Sequence, residues 1–447
     1  MPDFTLRRLS ADWVISPGEH PRRLGSVLLY QDRLLAVEDD SSAGRVVDEL
    51  RASLPESVRI FVEEYAYPGC AILPGLINAH THLELSGWDR GFTEGQPLWE
   101  WIPTVVAFRR SVAYRPGEAV TRGIIECVAG GACGIVDITQ PGWAAWGLES
   151  FPPDRCPSPR TKPHPRVLSL LECIAVREDV AEALPSQLDT HRRVCTLLGL
   201  EAGISPHAPY TVPPAVLRRV VAYANAQSFP VAIHLAETPE EEEFLQHQTG
   251  PFYKMFADLG IDVRSLFGIG TSWAEYITIL SQSRPLLVVH GNYLTSLERS
   301  LLRQSARRVA MVFCPRTHRR FGHSRYPLDE YLAAGIPVIL GTDSRATNPD
   351  LSILRELQTV RELFPHVPGS QILAMATSQS AKVLGWRGWG YLRDGASAQI
   401  TVVKLGERAD ERDPFEAVLS PQSTVRAVWI DGQLAYSSDN ESSRGAC

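Results

Sequence analysis

The residues best suited to chemistry in this chain are histidines, and two stand one residue apart in Leu73-Pro-Gly-Leu-Ile-Asn-Ala-His80-Thr-His82. An apolar run leads into the pair, as a buried strand would. On a strand, residues i and i+2 project from one face, so His80 and His82 point the same way from its end. Imidazole is the commonest side-chain metal ligand, and two on one face supply half of a four-ligand site. A chance His-x-His beside a surface turn has the same letters, so the pair does not decide the matter alone. Further histidines close apolar runs at His207, His234 and His290, and an acid closes another at Gly341-Thr-Asp343.

These side chains need elements to gather them. From residue 71 the sequence alternates strand-like and helix-like stretches, which is the pattern of a parallel α/β protein. Eight strands are expected: Ala71–His82, Gly134–Thr139, Val167–Ala175, Gly199–His207, Pro230–His234, Pro285–His290, Val309–Cys314 and Ile336–Asp343. Amphipathic helices fit between them at Glu118–Ala129, Pro214–Ala226, Leu297–Arg307 and Pro327–Ala334. Pro141–Pro165 shows no clean helix and reads as an irregular excursion, and Glu240–Leu280 is the candidate lid. Eight such units make a (β/α)8 barrel, whose functional residues collect at the C-terminal strand ends. Five of the twelve histidines fall on that rim together with Asp343.

Before residue 71 the pieces are short and β-rich (Asp12–Ser16, Ser26–Tyr30, Arg33–Val37, Val58–Val62), with one brief helix at Arg45–Leu54. Helices follow the barrel at Leu351–Phe364 and Ser370–Leu384. Strands then return at Gly390–Leu392, Gln399–Lys404 and Val425–Tyr436, the last broken by the Asp431-Gly432 hairpin signal. The expected architecture is a TIM barrel over 71–385, flanked by a small β-sandwich domain that both chain ends build from 1–70 and 386–447.

A length of 447 residues suits a large barrel with a satellite, and 44% hydrophobic with 21% charged residues is a soluble globular composition. The formal charge of −7 offers no basic stripe for nucleic acid, and no apolar run is long enough to span a membrane. Eight cysteines without a Cys-x-x-Cys pair read as buried thiols, and the first residues lack a signal-peptide pattern. The expected compartment is the cytoplasm. The expected partner is a small-molecule substrate, with room for a homodimer.

The chain resembles the amidohydrolase superfamily, in the branch of nucleoside, guanine and triazine deaminases and chlorohydrolases. The residues that carry the likeness are Pro74-Gly-Leu-Ile-Asn-Ala-His80-Thr-His82, Ser205-Pro-His207-Ala-Pro-Tyr210-Thr, His234-Leu-Ala-Glu237-Thr, His290-Gly-Asn and Gly341-Thr-Asp343-Ser344, in the family's order. The resemblance implies that His80, His82, His234 and Asp343 hold one divalent metal ion, zinc or iron. Three imidazoles and a carboxylate leave a position for water, as a catalytic site needs. Two-metal relatives use a carboxylated lysine after strand 4. None of the four lysines here ends an expected barrel strand, so one ion per chain is expected.

In this reading the metal lowers the pKa of its water toward about 7 and so supplies hydroxide. Glu237 shuttles the proton to a ring nitrogen or to departing ammonia. The resemblance has His290 and Asp343 orient the nucleophile. Thr238-Pro-Glu-Glu241 also looks like a capping box, which would make Glu237 a mere neighbour of a helix start. For substrate binding the expectations are His207, Glu84, Arg316 and Arg345, the two arginines as clamps for a carboxylate. Cys314-Pro-Arg316-Thr317-His318 departs from the Pro-x-Ser-Asn turn of many relatives. Glu84 and the arginines bring the chain near the aminofutalosine deaminases, whose substrate joins an adenine nucleoside to a benzoate. Trp99 and Trp101 are either an aromatic wall or core packing. The expected reaction is hydrolytic release of ammonia from an amino-substituted heterocycle, an adenine nucleoside-like compound. The alternatives are hydrolysis of another C–N or a C–Cl bond, and a barrel without catalysis that serves as a binding protein.

Overall fold

The computed structural model describes residues 3–55, 58–142, 163–176, 178–264, 266–283, 285–305, 309–406 and 413–439. The chain opens with β1 (Asp3–Val14), β2 (Arg22–Tyr30), β3 (Arg33–Asp39) and β4 (Arg59–Pro74). The next strands are β5 (Leu76–Thr81), β6 (Ala132–Thr139), β7 (Arg166–Cys173), β8 (Glu201–Pro206), β9 (Val231–Leu235), β10 (Leu286–His290), β11 (Val309–Phe313) and β12 (Val338–Leu340). The chain then closes with β13 (Ile400–Lys404), β14 (Thr424–Ile430) and β15 (Gln433–Ser437).

Strands β5 to β12 form one parallel sheet in strict chain order, with helices between them. Its two edges meet at a seam. The N–H groups of Thr342 and Asp343, just past β12, both donate to the His80 carbonyl of β5 (3.0 and 3.1 Å), and Thr81 Oγ1 donates to the Asp343 carbonyl at 2.9 Å. The result is a (β/α)8 barrel. Its strands are buried on both faces, as a parallel sheet wrapped in helices requires. The interior is filled by alternate residues such as Val136 and Ile138, Leu168 and Leu170, Leu287 and Val289, and Ala310 and Val312. Trp386 and Trp389 join the same core, close enough that a Cβ at Gly134 would meet Trp386 at 2.4 Å.

The flanking part is a seven-stranded mixed sheet, ordered β15-β14-β13-β4-β1-β2-β3, that unites both chain ends. Strands from opposite ends of that order share one core, with Leu34 and Val37 of β3 and Ala427 and Trp429 of β14 in the same cluster. The other face of β1–β3 packs on the helix Asp40–Ser53 through Leu6, Leu28, Ala36 and Val47.

Several expectations differ in detail from the structure. Ala71–His82 is not one strand. Residues 70–74 pair with β13 in the flanking sheet, and the barrel strand begins only after Gly75. A Cβ at Gly75 would lie 2.5 Å from Cys133 Sγ, so the crossing between sheets takes glycine. Ser370–Leu384 is two helices, Gly369–Met375 and Ser378–Leu384, and Gly390–Leu392 is not a strand. Most of Pro141–Pro165 lies outside the described residues. The lid candidate Glu240–Leu280 is packed structure. Its helices Pro239–His247, Gly250–Asp258 and Trp273–Leu280 bury Phe244, Phe252, Trp273 and Tyr276 in the largest core. The six described cysteines are buried free thiols. No helix among the described residues is long and apolar enough to cross a membrane.

Candidate active site

Three strand ends bring the metal-ligand candidates together. The β5–β6 register shifts between Asn78 and Thr81, and beyond it the His80 and His82 rings stand 5.0 Å apart. On β9, Ala232 faces the barrel interior, and alternation carries His234 to the same side. His80, His82 and His234 each offer a nitrogen within 4.8 Å of the others. Asp343 completes the group, its Oδ1 at 3.7 Å from Nε2 of both His80 and His82. Ligands about 2.1 Å from a common ion at tetrahedral angles stand roughly 3.4 Å apart, so this spacing needs little adjustment.

The hydrogen bonding fits a cation. Both ring nitrogens of His80 and Nδ1 of His82 are buried without a partner. Orphaned buried polar atoms are costly unless something completes them. His234 Nδ1 donates to the His207 carbonyl at 2.9 Å, which leaves the Nε2 lone pair for a metal. Asp343 Oδ2 accepts from Thr347 Oγ1 at 2.8 Å, which fixes its plane. Burial, then the neighbouring imidazoles, hold His82 well below its usual pKa and His234 down to about 3, so both rings are neutral ligands.

Glu237 follows β9 with its carboxyl buried, and His290 Nε2 lies 3.5 Å from its Oε1. Burial pushes that carboxyl well above the usual range, with Asp343 and Glu241 adding to the effect. Glu237 does stand beside a helix start, that of Pro239–His247, but the expected capping box is incomplete. Thr238 makes no side-chain cap bond, and Glu241 Oε1 instead accepts from the Ala236 N–H and Trp273 Nε1. Ala236, His290 and Asp343 all take positive φ (53°, 66° and 57°), uncommon for non-glycine residues. At His290 the turn matters most, because Val289 faces inward and simple alternation would send His290 out. Instead its ring lies 5.6 Å from that of His234. Strained backbone of this kind concentrates at functional sites.

The residues expected to bind substrate divide. His207 stays at the centre, its ring 5.2 Å from His234 and its Nδ1 2.8 Å from Thr211 Oγ1. Glu84 is buried in a network that sequence reading missed. Arg109 Nη2 and Nε reach Glu84 Oε1 at 2.6 and 3.2 Å, while Arg109 Nη1 lies 4.0 Å from Glu172 Oε2. Arg109 also acts electrostatically on His82 and His207. Arg316, expected as a substrate clamp, is spent inside the protein. Its Nε donates to Glu356 at 2.7 Å and its Nη2 to Asp350 Oδ1 at 2.8 Å. Arg345 faces Glu126 at 3.6 Å. Trp101 stacks edge-on against Phe321, and Trp99 against Phe252, so both pack on core rings. A cavity of about 500 Å³ opens at the opposite end of the barrel, among Val309, Ile336 and Pro337, away from the histidines.

The sequence model of the amidohydrolase family matches residues 167–435. The chain belongs to the amidohydrolase family. It is a metal-dependent hydrolase acting on carbon–nitrogen bonds. Among curated proteins this amidohydrolase is 28% identical over 375 residues to the aminodeoxyfutalosine deaminase of Deinococcus radiodurans, covering 82% of the chain and 84% of that protein. It is 29% identical over 399 residues to the 5-methylthioadenosine/S-adenosylhomocysteine deaminase of Pyrococcus furiosus, covering 85% of each. Among solved structures, Helicobacter pylori aminofutalosine deaminase in complex with methylthio-coformycin superposes with a TM-score of 0.76 at 18% identity, over 96% of this chain and 100% of that one.

Proposed function

We propose that this amidohydrolase is a hydrolytic deaminase that releases ammonia from an amino-substituted heterocycle, an adenine nucleoside-like compound. The observation that carries the reading is the buried Glu237 carboxyl 3.5 Å from His290, beside the four grouped metal donors. The names of the two curated relatives support the class of substrate.

His80, His82, His234 and Asp343 would hold a single divalent ion, with zinc or iron suited to three imidazoles and a carboxylate. When bound, that ion supplies Lewis-acid chemistry, acidifying a water at neutral pH. Glu237 takes a proton from the attacking water and returns it to the ring nitrogen or to the leaving ammonia. Its raised pKa makes it a stronger proton acceptor than an ordinary carboxylate. His290, neutral because burial pulls its pKa well down, serves as a hydrogen-bond partner at the carbon under attack rather than as an acid. Asp343, fixed by Thr347, orients the nucleophile. His207 and Glu84 contact the bound heterocycle or its sugar. A carboxylate on the substrate would have to find a cation other than Arg316, which is already paired twice.

The test is ammonia release by metal-loaded protein from adenosine, 5-methylthioadenosine, aminofutalosine, guanine, cytosine and aminotriazines. Turnover of an adenine nucleoside is expected, and Glu237→Gln should retain the ion while losing activity by about a hundredfold or more. Release of chloride or opening of a ring amide, with no deamination across the panel, would overturn the reading.

A further inference from the structure

Glu84 is gripped by one of its two carboxylate oxygens. It stands on the short turn Leu83–Leu85, directly after His82. The backbone of that turn is pinned on its own account. The Leu83 N–H donates to Asp137 Oδ1 at 2.8 Å, and the Leu85 N–H donates to the His82 carbonyl at 3.1 Å. What remains free is the side chain. Arg109 Nη2 and Nε both donate to Glu84 Oε1, at 2.6 and 3.2 Å. Glu84 Oε2 is buried without a hydrogen-bond partner. Tyr114 stands close to the carboxyl and still leaves that oxygen unpaired. A buried acceptor with nothing to accept is costly, so a donor from elsewhere has a place to fill.

We propose that Arg109 is a positioning residue whose two-bond grip on Oε1 aims Glu84 Oε2 at the bound substrate, where it accepts from an N–H or O–H group of that compound. The proposal rests on Glu84 contacting the substrate of the deaminase. Nε and Nη2 lie on one edge of a rigid plane, and two bonds from that edge to one oxygen set both the distance and the tilt of the carboxyl. An ammonium in the same place supplies its charge as a single point and leaves the tilt open.

Arg109 is also shared. Its Nη1 lies 4.0 Å from Glu172 Oε2, which accepts from Gln140 Nε2. The Glu84 and Glu172 side chains are each 1% exposed, against 23% for Arg109, so water is a poor substitute for the guanidinium at either acid. Two carboxyl groups on one cation leave a surplus of acceptors. A ligand group that donates fits this corner, and an anionic group does not. The corner adjoins the metal donors, because the Arg109 charge acts on His82 as well as on His207. Arg109 itself ends the helix Leu98–Arg109, which carries none of those donors. The grip can therefore be altered while the metal site stands.

The test uses zinc-loaded full-length protein, as the parent, Arg109→Lys, Glu84→Gln and the double variant. Arg109→Lys retains a cation between the two acids, so it should fold as the parent does. Its crystal structure is expected to show the Glu84 carboxyl turned from its place in the parent, with His82 unmoved. On the nucleoside that the parent turns over best, Arg109→Lys should raise KM about tenfold with kcat within about threefold. Glu84→Gln should cost the parent about tenfold in kcat/KM and the Arg109→Lys enzyme about twofold or less, since the grip is already lost. A tie that only stabilised the fold would lower the melting temperature, leave KM alone and let the two costs multiply. That outcome overturns the proposal, and so does a Glu84 carboxyl in the parent's place in the Arg109→Lys crystals. The crystallographic arm needs no turnover, so a parent that deaminates no nucleoside counts against the deaminase reading and is told apart from a failure of this one.

Discussion

Arg316 shows how a side chain on the active rim can be excluded from substrate binding. Glu356 is fully buried and also accepts from the Arg316 N–H and from Asn348 Nδ2, so the guanidinium is what makes that carboxylate tolerable inside the protein. Arg316→Met should therefore destabilise the fold by about 3–5 kcal/mol, leaving Glu356 without its cation. Urea unfolding reads the loss, and KM measured below the new transition should stay near the parent value. An arginine that clamped substrate would show the reverse: a raised KM on an intact fold. At this scale the sequence exposed His80, His82, His234 and Asp343, because each ends an apolar run at a strand terminus. It hid Arg109 and Glu172. One sits on the helix Leu98–Arg109 and the other on β7, and no local spacing encodes their meeting across Glu84.

Among the elements, β12 and β5 depend on one glycine. A Cβ at Gly341 would stand 2.6 Å from His80 Cβ and 2.9 Å from the His80 backbone, closer than atoms can approach. Gly341→Ala should push the two strands apart where Thr342 and Asp343 bond to His80, costing about 1–3 kcal/mol and displacing Asp343 from the histidines. The check is zinc content per chain together with thermal unfolding. Full occupancy at unchanged stability would show that the seam yields without consequence. The order of strands was legible from the alternation of periods, and hairpin β14–β15 from Asp431-Gly432. The split at Gly75 was not, because Ala71–Leu73 and Leu76–Ile77 are equally apolar and hydrophobicity does not say which of two sheets a residue joins. Nor was the packing of residues 239–280, where buried aromatics sit among many acids and polar turns.

For the whole molecule, two conditions should weaken the fold. Chelation should lower the melting temperature, since an ion held by residues of three strands favours the native state by about 3 kcal/mol at a hundredfold excess over its Kd. Readdition of zinc should restore it. Acid should act independently of the metal. Burial lowers the His191 pKa from 6.5 to about 4, against the lift from its bond to the Ser169 carbonyl at 2.9 Å. A ring harder to protonate when folded contributes its full stability above about pH 6.5 and loses it as pH falls to about 4. Over that window the parent should lose about 3 kcal/mol more than His191→Gln, by urea unfolding at each pH. Equal losses would remove His191 from the account.

The barrel seam also sets a timetable. Thr81 and Asp343, whose hydrogen bond helps close it, are 262 residues apart in the chain. At ribosomal speeds of about 5–20 residues per second, His80 and His82 emerge roughly 10 to 50 seconds before Asp343 is made. During that interval His207, His234 and His290 are added to the pair, and the carboxylate comes last. The full set of four donors is thus assembled only when the last barrel strand has docked.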